Sequence, residues 1–216
     1  THAEKLLNGQ NAVTEIESRT ALAVAKGLAA VFFMPNEIAG QVEKLAQYEI
    51  ASGAAEKAVH IPLLNGGVPF HNDKIKAIRL IDPAIEIKTG KVRTTAYDGP
   101  TYVGAHVIPE ECELDMLTPD SEVVFDDDGI ETAGSIIVSA QHVLERCGVT
   151  KFSCRTALTK QLGMTISGFS RTIALFSTPF RVWGEGYGFD NNGTNRDEHV
   201  IGVSMTQSPD NFDVVE

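Results

Sequence analysis

The sequence predicts an α/β (α+β) domain of two lobes, mixed sheets with flanking helices, preceded by an N-terminal helical arm. Three observations carry this. A strand-length apolar run at residues 29–34 is stopped by Pro35. Ile38, Val42 and Leu45 then repeat at helical spacing. The strand, helix, strand order of residues 29–64 is echoed at residues 123–158.

Residues 1–28 read as the arm, with Leu6, Val13, Ile16, Leu22 and Val24 loosely spaced on one side. Residues 29–206 form the domain and 207–216 a tail. Asn36 suits the N-cap of the first domain helix. A second strand follows at 58–64, where Pro62 cannot donate to a ladder and so points to an edge or a bulge. Asn65-Gly66-Gly67 closes it with turn chemistry. A short helix is expected over 73–81, ended by Pro83, and strands over 85–88, 92–96 and 101–108. The clearest helix spans 129–147, with Ile130, Ala133, Ile137, Ala140 and Leu144 on its apolar face. Asp126-Asp127-Asp128 suits the dipole at its start and Gly148 its end. Strands follow at 152–158, 171–176, 180–186 and 200–205, with a polar loop at 190–198.

The chain has 216 residues, 29 acidic against 18 basic side chains, and a formal net charge of −11. That field opposes a nucleic-acid partner, whose phosphates must be neutralised by Lys and Arg. The densest basic group, Lys74, Lys76, Arg79, Lys88, Lys91 and Arg93, is diluted by Asp73, Asp82 and Glu86 and reads as a solvated face. Three cysteines, Cys112, Cys147 and Cys154, with no CxxC, exclude a disulfide framework or zinc finger and suit a cytoplasmic compartment. No apolar run approaches the roughly 20 residues of a membrane span, so no membrane partner is expected. Nothing in the sequence implies a cofactor or a metal.

Phe32-Phe33-Met34-Pro35, the amphipathic helix, and His60-Ile61-Pro62-Leu63 resemble the opening of the 2H phosphoesterase (LigT-like) family. The resemblance covers residues 29–64 and implies a LigT-like fold. It also implies chemistry by two His-x-Ser/Thr motifs facing each other across a cleft, one imidazole as base and the other as acid.

This chain departs from that pattern twice. Pro62 replaces the first hydroxyl residue, and Phe152-Ser153-Cys154-Arg155-Thr156 places Arg155 where the second histidine belongs. Arginine is a poor proton carrier but a good phosphate ligand, so Arg155 and Thr156 are the phosphate-binding candidates. His60 and His106 are the catalytic candidates; His199 opens the last strand, and His142 lies inside the long helix. The leading expectation is a non-catalytic 2H-like binding or assembly module, a homo-oligomer or part of a larger assembly such as a viral or phage particle. The alternative is a divergent 2H phosphodiesterase acting on cyclic nucleotides or RNA 2′,3′-cyclic phosphates. Asp126-Asp127-Asp128-Gly129 lacks the rest of an EF-hand loop, and Gly184, Gly186 and Gly188 lack the Lys-Ser/Thr of a P-loop.

Overall fold

Strands β2 (Ala58–Leu64), β6 (Glu122–Ile130) and β7 (Lys151–Thr159) are buried along most of their length, which only parallel strands covered on both faces sustain. In the computed structural model they form the centre of a seven-stranded sheet. The described residues are 14–15, 17–26, 28–98, 101–160, 163–178, 180–181, 184–189, 196–204 and 213–214. With β3 (Lys88–Thr89), β4 (Val92–Asp98), β5 (Thr101–Val107) and β8 (Phe169–Ser177), the spatial order is β5-β4-β2-β6-β7-β8, and β3 pairs with β2. All pairs are parallel except the hairpin β4–β5.

Three helices cover the sheet: α1 (Pro35–Ser52), α2 (Val68–Ile81) and α3 (Gly134–Cys147). The Glu37 carboxylate accepts the Met34 N–H at 2.7 Å to start α1, and Gly53, at φ 75°, ends it. On one face, Ile136, Ala140 and Val143 of α3 pack on Val123, Phe125, Phe152 and Cys154. On the other, Ile38, Val42 and Leu45 of α1 pack with Phe70, Ala157 and Leu158. A second, smaller sheet joins β1 (Leu28–Phe33), β11 (Ile201–Ser204) and β10 (Gly184–Glu185), and β12 (Asp213–Val214) pairs with β9 (Phe180–Arg181).

Several expectations change. β1 and β2 belong to different sheets, so residues 29–64 are not one β-α-β unit; β6-α3-β7 is, with its strands parallel neighbours. The three aspartates lie within β6 rather than at a helix start, because the apolar run Val123-Val124-Phe125 carries the strand on to Ile130 and α3 begins only at Gly134. Pro62 sits in a central strand, not at an edge. β2 pairs with β3 at Val59 and His60 and with β4 at Leu63 and Leu64, so the missing donor falls where the neighbouring strand is interrupted. The region predicted as arm contains helix at 17–26, anchored by Arg19 on Glu37 and the Phe32 carbonyl; residues 1–13 lie outside the described set. Most of the 190–198 loop and the 207–216 tail also lies outside it. Among the described residues no helix is long and apolar enough to cross a membrane.

From β2 the chain passes through α2 to β4 on one side, then returns to β6 on the other. Strand order therefore reverses between β2 and β6, and open α/β sheets bind ligands beyond the carboxyl ends of strands at such a switch point.

Candidate functional site

At that switch point two loops meet. The first, Asn65-Gly66-Gly67, follows the cis Leu64–Asn65 peptide. A Cβ on Gly66 would stand 2.5 Å from the Asp128 carboxylate, and one on Gly67 would overlap the Asp126 carbonyl oxygen. Glycine is required there because the loop lies directly on the end of β6.

The second loop, Glu131 to Ala133, joins β6 to α3. Ala133 is the N-cap, held at φ 61°, and provides no side-chain cap for the first amides of the helix. A left-handed alanine costs on the order of 1 kcal/mol and marks a backbone shaped for something other than stability. Thr132 and Ser135 are the hydroxyl residues on either side of that end, and the Thr132 hydroxyl lies 3.7 Å from where a Cβ on Gly134 would stand. An uncapped helix N-terminus at the carboxyl edge of a parallel sheet suits an anion such as phosphate. The Lys160 ammonium holds Glu131 at 3.0 Å and fixes the start of the loop.

Asp127 and Asp128 close the strand before it. Burial, then the neighbouring Asp128 charge, pushes the Asp127 carboxyl well above the carboxylate range; burial raises Asp128 too. Their backbone bonds are local: Asp128 N–H to Asp127 at 3.1 Å and Gly129 N–H to Asp128 at 2.9 Å. The two side chains also share a hydrogen bond with each other near the carboxyl end of β6. Among the described residues no group of three or more His, Cys, Asp or Glu side chains could hold a metal.

Beneath them lies a buried polar chain. Asp126 accepts from Lys74 Nζ at 2.5 Å and from His71 Nδ1 at 2.6 Å. Lys74 also reaches His60 Nδ1 at 3.0 Å, while His60 Nε2 meets the Ala54 carbonyl at 3.2 Å. Lys74 can only donate, so His60 Nδ1 accepts and Nε2 carries the proton. Burial and the Lys74 charge push the His60 pKa down to about 3, so the ring is neutral. Lys74 and His71 hold the Asp126 carboxyl far below its usual range.

The smaller sheet sends one turn onto the site. A Cβ on Gly188 would overlap the Gly66 carbonyl oxygen, and one on Gly129 would overlap the Phe189 ring. Tyr187, buried at φ 49°, donates to Asp73 at 3.1 Å, and Arg196 donates to the Gly188 carbonyl at 2.8 Å. Asn65, Asn72 and Arg196 line a cavity of about 350 Å³ beside this turn.

The predicted site residues are not assembled there. His60 is fully buried and neutral within β2, while His106 is exposed on edge strand β5, two strands away, with Nδ1 on the Gly104 carbonyl. Arg155 is buried with Glu49 on the α1 side of β7, and Thr156 donates to the Leu158 carbonyl. His199 lies 3.9 Å from Asp73, and His142 sits in α3. The residues that sequence reasoning passed over, Asp127, Asp128 and Thr132 to Ser135, had a readable signal: an apolar run ending in acids, followed by small and hydroxyl residues opening an amphipathic helix.

No family model matches the chain, and no curated protein matches it. Solved structures do. A hypoxanthine phosphoribosyltransferase from Staphylococcus aureus is 17% identical, with 87% of this chain and 97% of that one aligned at TM-score 0.65. The Trypanosoma cruzi enzyme in complex with its product IMP is 18% identical, over 86% and 97% of the two chains, at TM-score 0.65. The fold is that of the hypoxanthine phosphoribosyltransferases. A further T. cruzi structure, 18% identical over 82% and 91% at TM-score 0.64, concerns the role of that enzyme's C-terminal region in its oligomeric state and activity.

This corrects the 2H resemblance. The LigT-like architecture is replaced by a largely parallel sheet with one switch point. The solved structures sharing the fold are named as phosphoribosyltransferases, not as 2H phosphoesterases or particle components, so the phosphodiesterase and assembly or viral-particle readings lose the family likeness they rested on. The short likeness around His60 arose because a Pro-terminated strand and a strand with histidine occur in both patterns, although here they occupy separate sheets.

Proposed function

We propose that this chain is a phosphoribosyltransferase that joins a phosphoribosyl group to a nitrogen of a purine base. The observation that carries the reading is the β6–α3 junction. An acidic pair, Asp127 and Asp128, near the end of β6 is followed by a short loop and an uncapped helix N-terminus with a left-handed Ala133, in a fold shared with enzymes of that name.

In this reading the donor's 5′-phosphate sits on the amides opening α3, with the Thr132 and Ser135 hydroxyls. Asp127 and Asp128 accept hydrogen bonds from the ribose diol, a role that carboxylates at strand ends serve in nucleotide sites. The leaving diphosphate lies toward Asn65 and Arg196. Phe189, against Gly129 and Gly184, offers an aromatic wall to the base. The C1′–O bond to diphosphate breaks as the C1′–N bond forms, and the base nitrogen gives its proton to Glu131. Of the sequence-based partners, a homo-oligomer remains compatible with this reading.

The test is an assay with phosphoribosyl diphosphate and hypoxanthine or guanine, followed by chromatography of the nucleotide. Turnover is expected, with kcat/KM at least about 100-fold lower in Asp128→Asn, the scale of one lost transition-state contact. Ser135→Ala should raise KM for the donor. No turnover with any base, together with no calorimetric binding of the donor, would sink the proposal.

A further inference from the structure

We infer that the cavity at the opposite edge of the sheet binds a phosphate-bearing small molecule. It encloses about 400 Å³ where β2, β6 and β7 begin, under the C-terminal end of α1. The β6–α3 junction lies at the other end of the same strands, on the order of 25 Å away at about 3.3 Å per residue. The two places are therefore distinct, and this inference does not depend on the reaction proposed above.

Strand alternation sets the floor. Phe152 and Cys154 face the α3 core, so Ser153 and Arg155 face α1. Ser153 is only 9% exposed, lines the cavity, and its hydroxyl has no hydrogen-bond partner among the described residues. Arg155 is 3% exposed. Its Nε donates to Glu49 at 2.5 Å and one terminal nitrogen to the Cys154 carbonyl at 3.0 Å, while the other has no partner among the described residues. Ser153 and Arg155 line the cavity and offer it a hydroxyl and a guanidinium edge, and the buried polar atom without a partner beside them is Glu49 Oε2, behind the guanidinium.

The rim adds Lys57, Lys151 and Arg171, with Arg171 over the Tyr48 ring at 5.4 Å. None of the three forms an ion pair among the described residues, although carboxylates outnumber cations in this chain. Elsewhere Arg19, Lys26, Lys91 and Lys160 each hold a glutamate. Three rim cations without an ion pair among the described residues, with a guanidinium and a serine hydroxyl between them, match a tetrahedral oxyanion, since charge-assisted bonds from such donors are the strong ones. Carboxylate ligands fit less well, because Glu122 on the rim and Glu49 behind Arg155 leave only a modest positive balance that a dianion exploits better.

Backbone amide shifts of the isotopically labelled full chain, titrated with inorganic phosphate, test this. Saturable shifts at Lys151, Ser153 and Arg171 are expected. They should weaken at least about 10-fold in Lys151→Glu/Arg171→Glu, whose substitutions lie on exposed positions, and also in Ser153→Ala, yet persist in Ser135→Ala. Shifts confined to residues 131–136 would overturn the inference and leave the transferase reading standing. An unchanged titration in the double variant, or no saturable shift at all, would also overturn it.

Discussion

Lys74 Nζ lies 2.5 Å from Asp126 Oδ1, and neither side chain has any exposure to solvent. Asp126 is the residue just before the acidic pair, and its carbonyl oxygen lies against Gly67, so this ion pair braces β6 where the two site loops touch. Removing one member of a buried pair strands the other charge at a cost of about 3–5 kcal/mol. Lys74→Met should therefore lower urea-unfolding stability by that amount. Lys74→Met/Asp126→Asn should recover more than half, because no uncompensated charge remains. A single variant within about 0.5 kcal/mol of the parent would show that the pair contributes nothing net.

His60 gives the protein a pH-dependent stability. Its folded pKa is pushed down to about 3 from 6.5, so the unfolded chain takes up a proton first as the solution is acidified. The stabilisation is complete above the ordinary value and is lost as pH falls through the window from about 6.5 to 3. Asp126, held low, acts in the same sense at pH values below the usual carboxylate range. Asp127, pushed up, acts in the opposite sense: folded stability declines as pH rises above its ordinary value. The comparison of parent with His60→Asn isolates the histidine. The variant should lose a slope of about 1.4 kcal/mol per pH unit between pH 4 and 6, measured by chemical denaturation. Parallel stability curves would refute a neutral buried His60.

The helices were the most legible part of the fold, because α1 and α3 have apolar faces that repeat at 3.6 residues and glycines at their ends. The strand-helix-strand echo also located β6-α3-β7. Sheet membership was not legible. β1 and β2 look alike locally, and only the antiparallel pairing of β1 with β11, about 170 residues later, places β1 in another sheet. The site was misread for a related reason. Asp126, Asp127 and Asp128 favour a helix start by charge, yet Asp126 is buried in a strand because Lys74 of α2 neutralises it and His71 hydrogen-bonds it, and those contacts span more than 50 residues. The histidines drew attention as proton carriers, whereas His60 serves as an acceptor for Lys74.

Ala133 holds φ 61° at the head of α3. Glycine adopts that conformation without the Cβ penalty, so Ala133→Gly should change stability by less than about 1 kcal/mol, relief of strain being offset by the freer unfolded chain. Ala133→Val adds a β-branched side chain at a 7% exposed position and should cost more than about 2 kcal/mol. If the loop cradles the donor's phosphate, Ala133→Val should also raise KM for the donor more than it lowers kcat. A valine variant with parental stability would mean that the backbone relaxes out of the left-handed region.

Gly188 joins the two sheets. It sits at φ 102°, where a side chain is strained, and an added Cβ would overlap the Gly66 carbonyl oxygen. Gly188→Ala must therefore push the turn of the smaller sheet away from the β2–α2 loop or displace that loop from Asp128. Either movement separates Asn65 from Arg196 on the two sides of the cavity between them. The expected result is a stability loss of about 1–3 kcal/mol and a signature in binding: weaker calorimetric affinity for diphosphate, with affinity for inorganic phosphate at the α3 amides unchanged. Gly104→Ala is the control, since Gly104 shares a positive φ of 88° but has open space around it. If both variants weaken diphosphate binding equally, backbone strain rather than the contact of Gly188 with Gly66 is responsible, and the interlock has no part in binding.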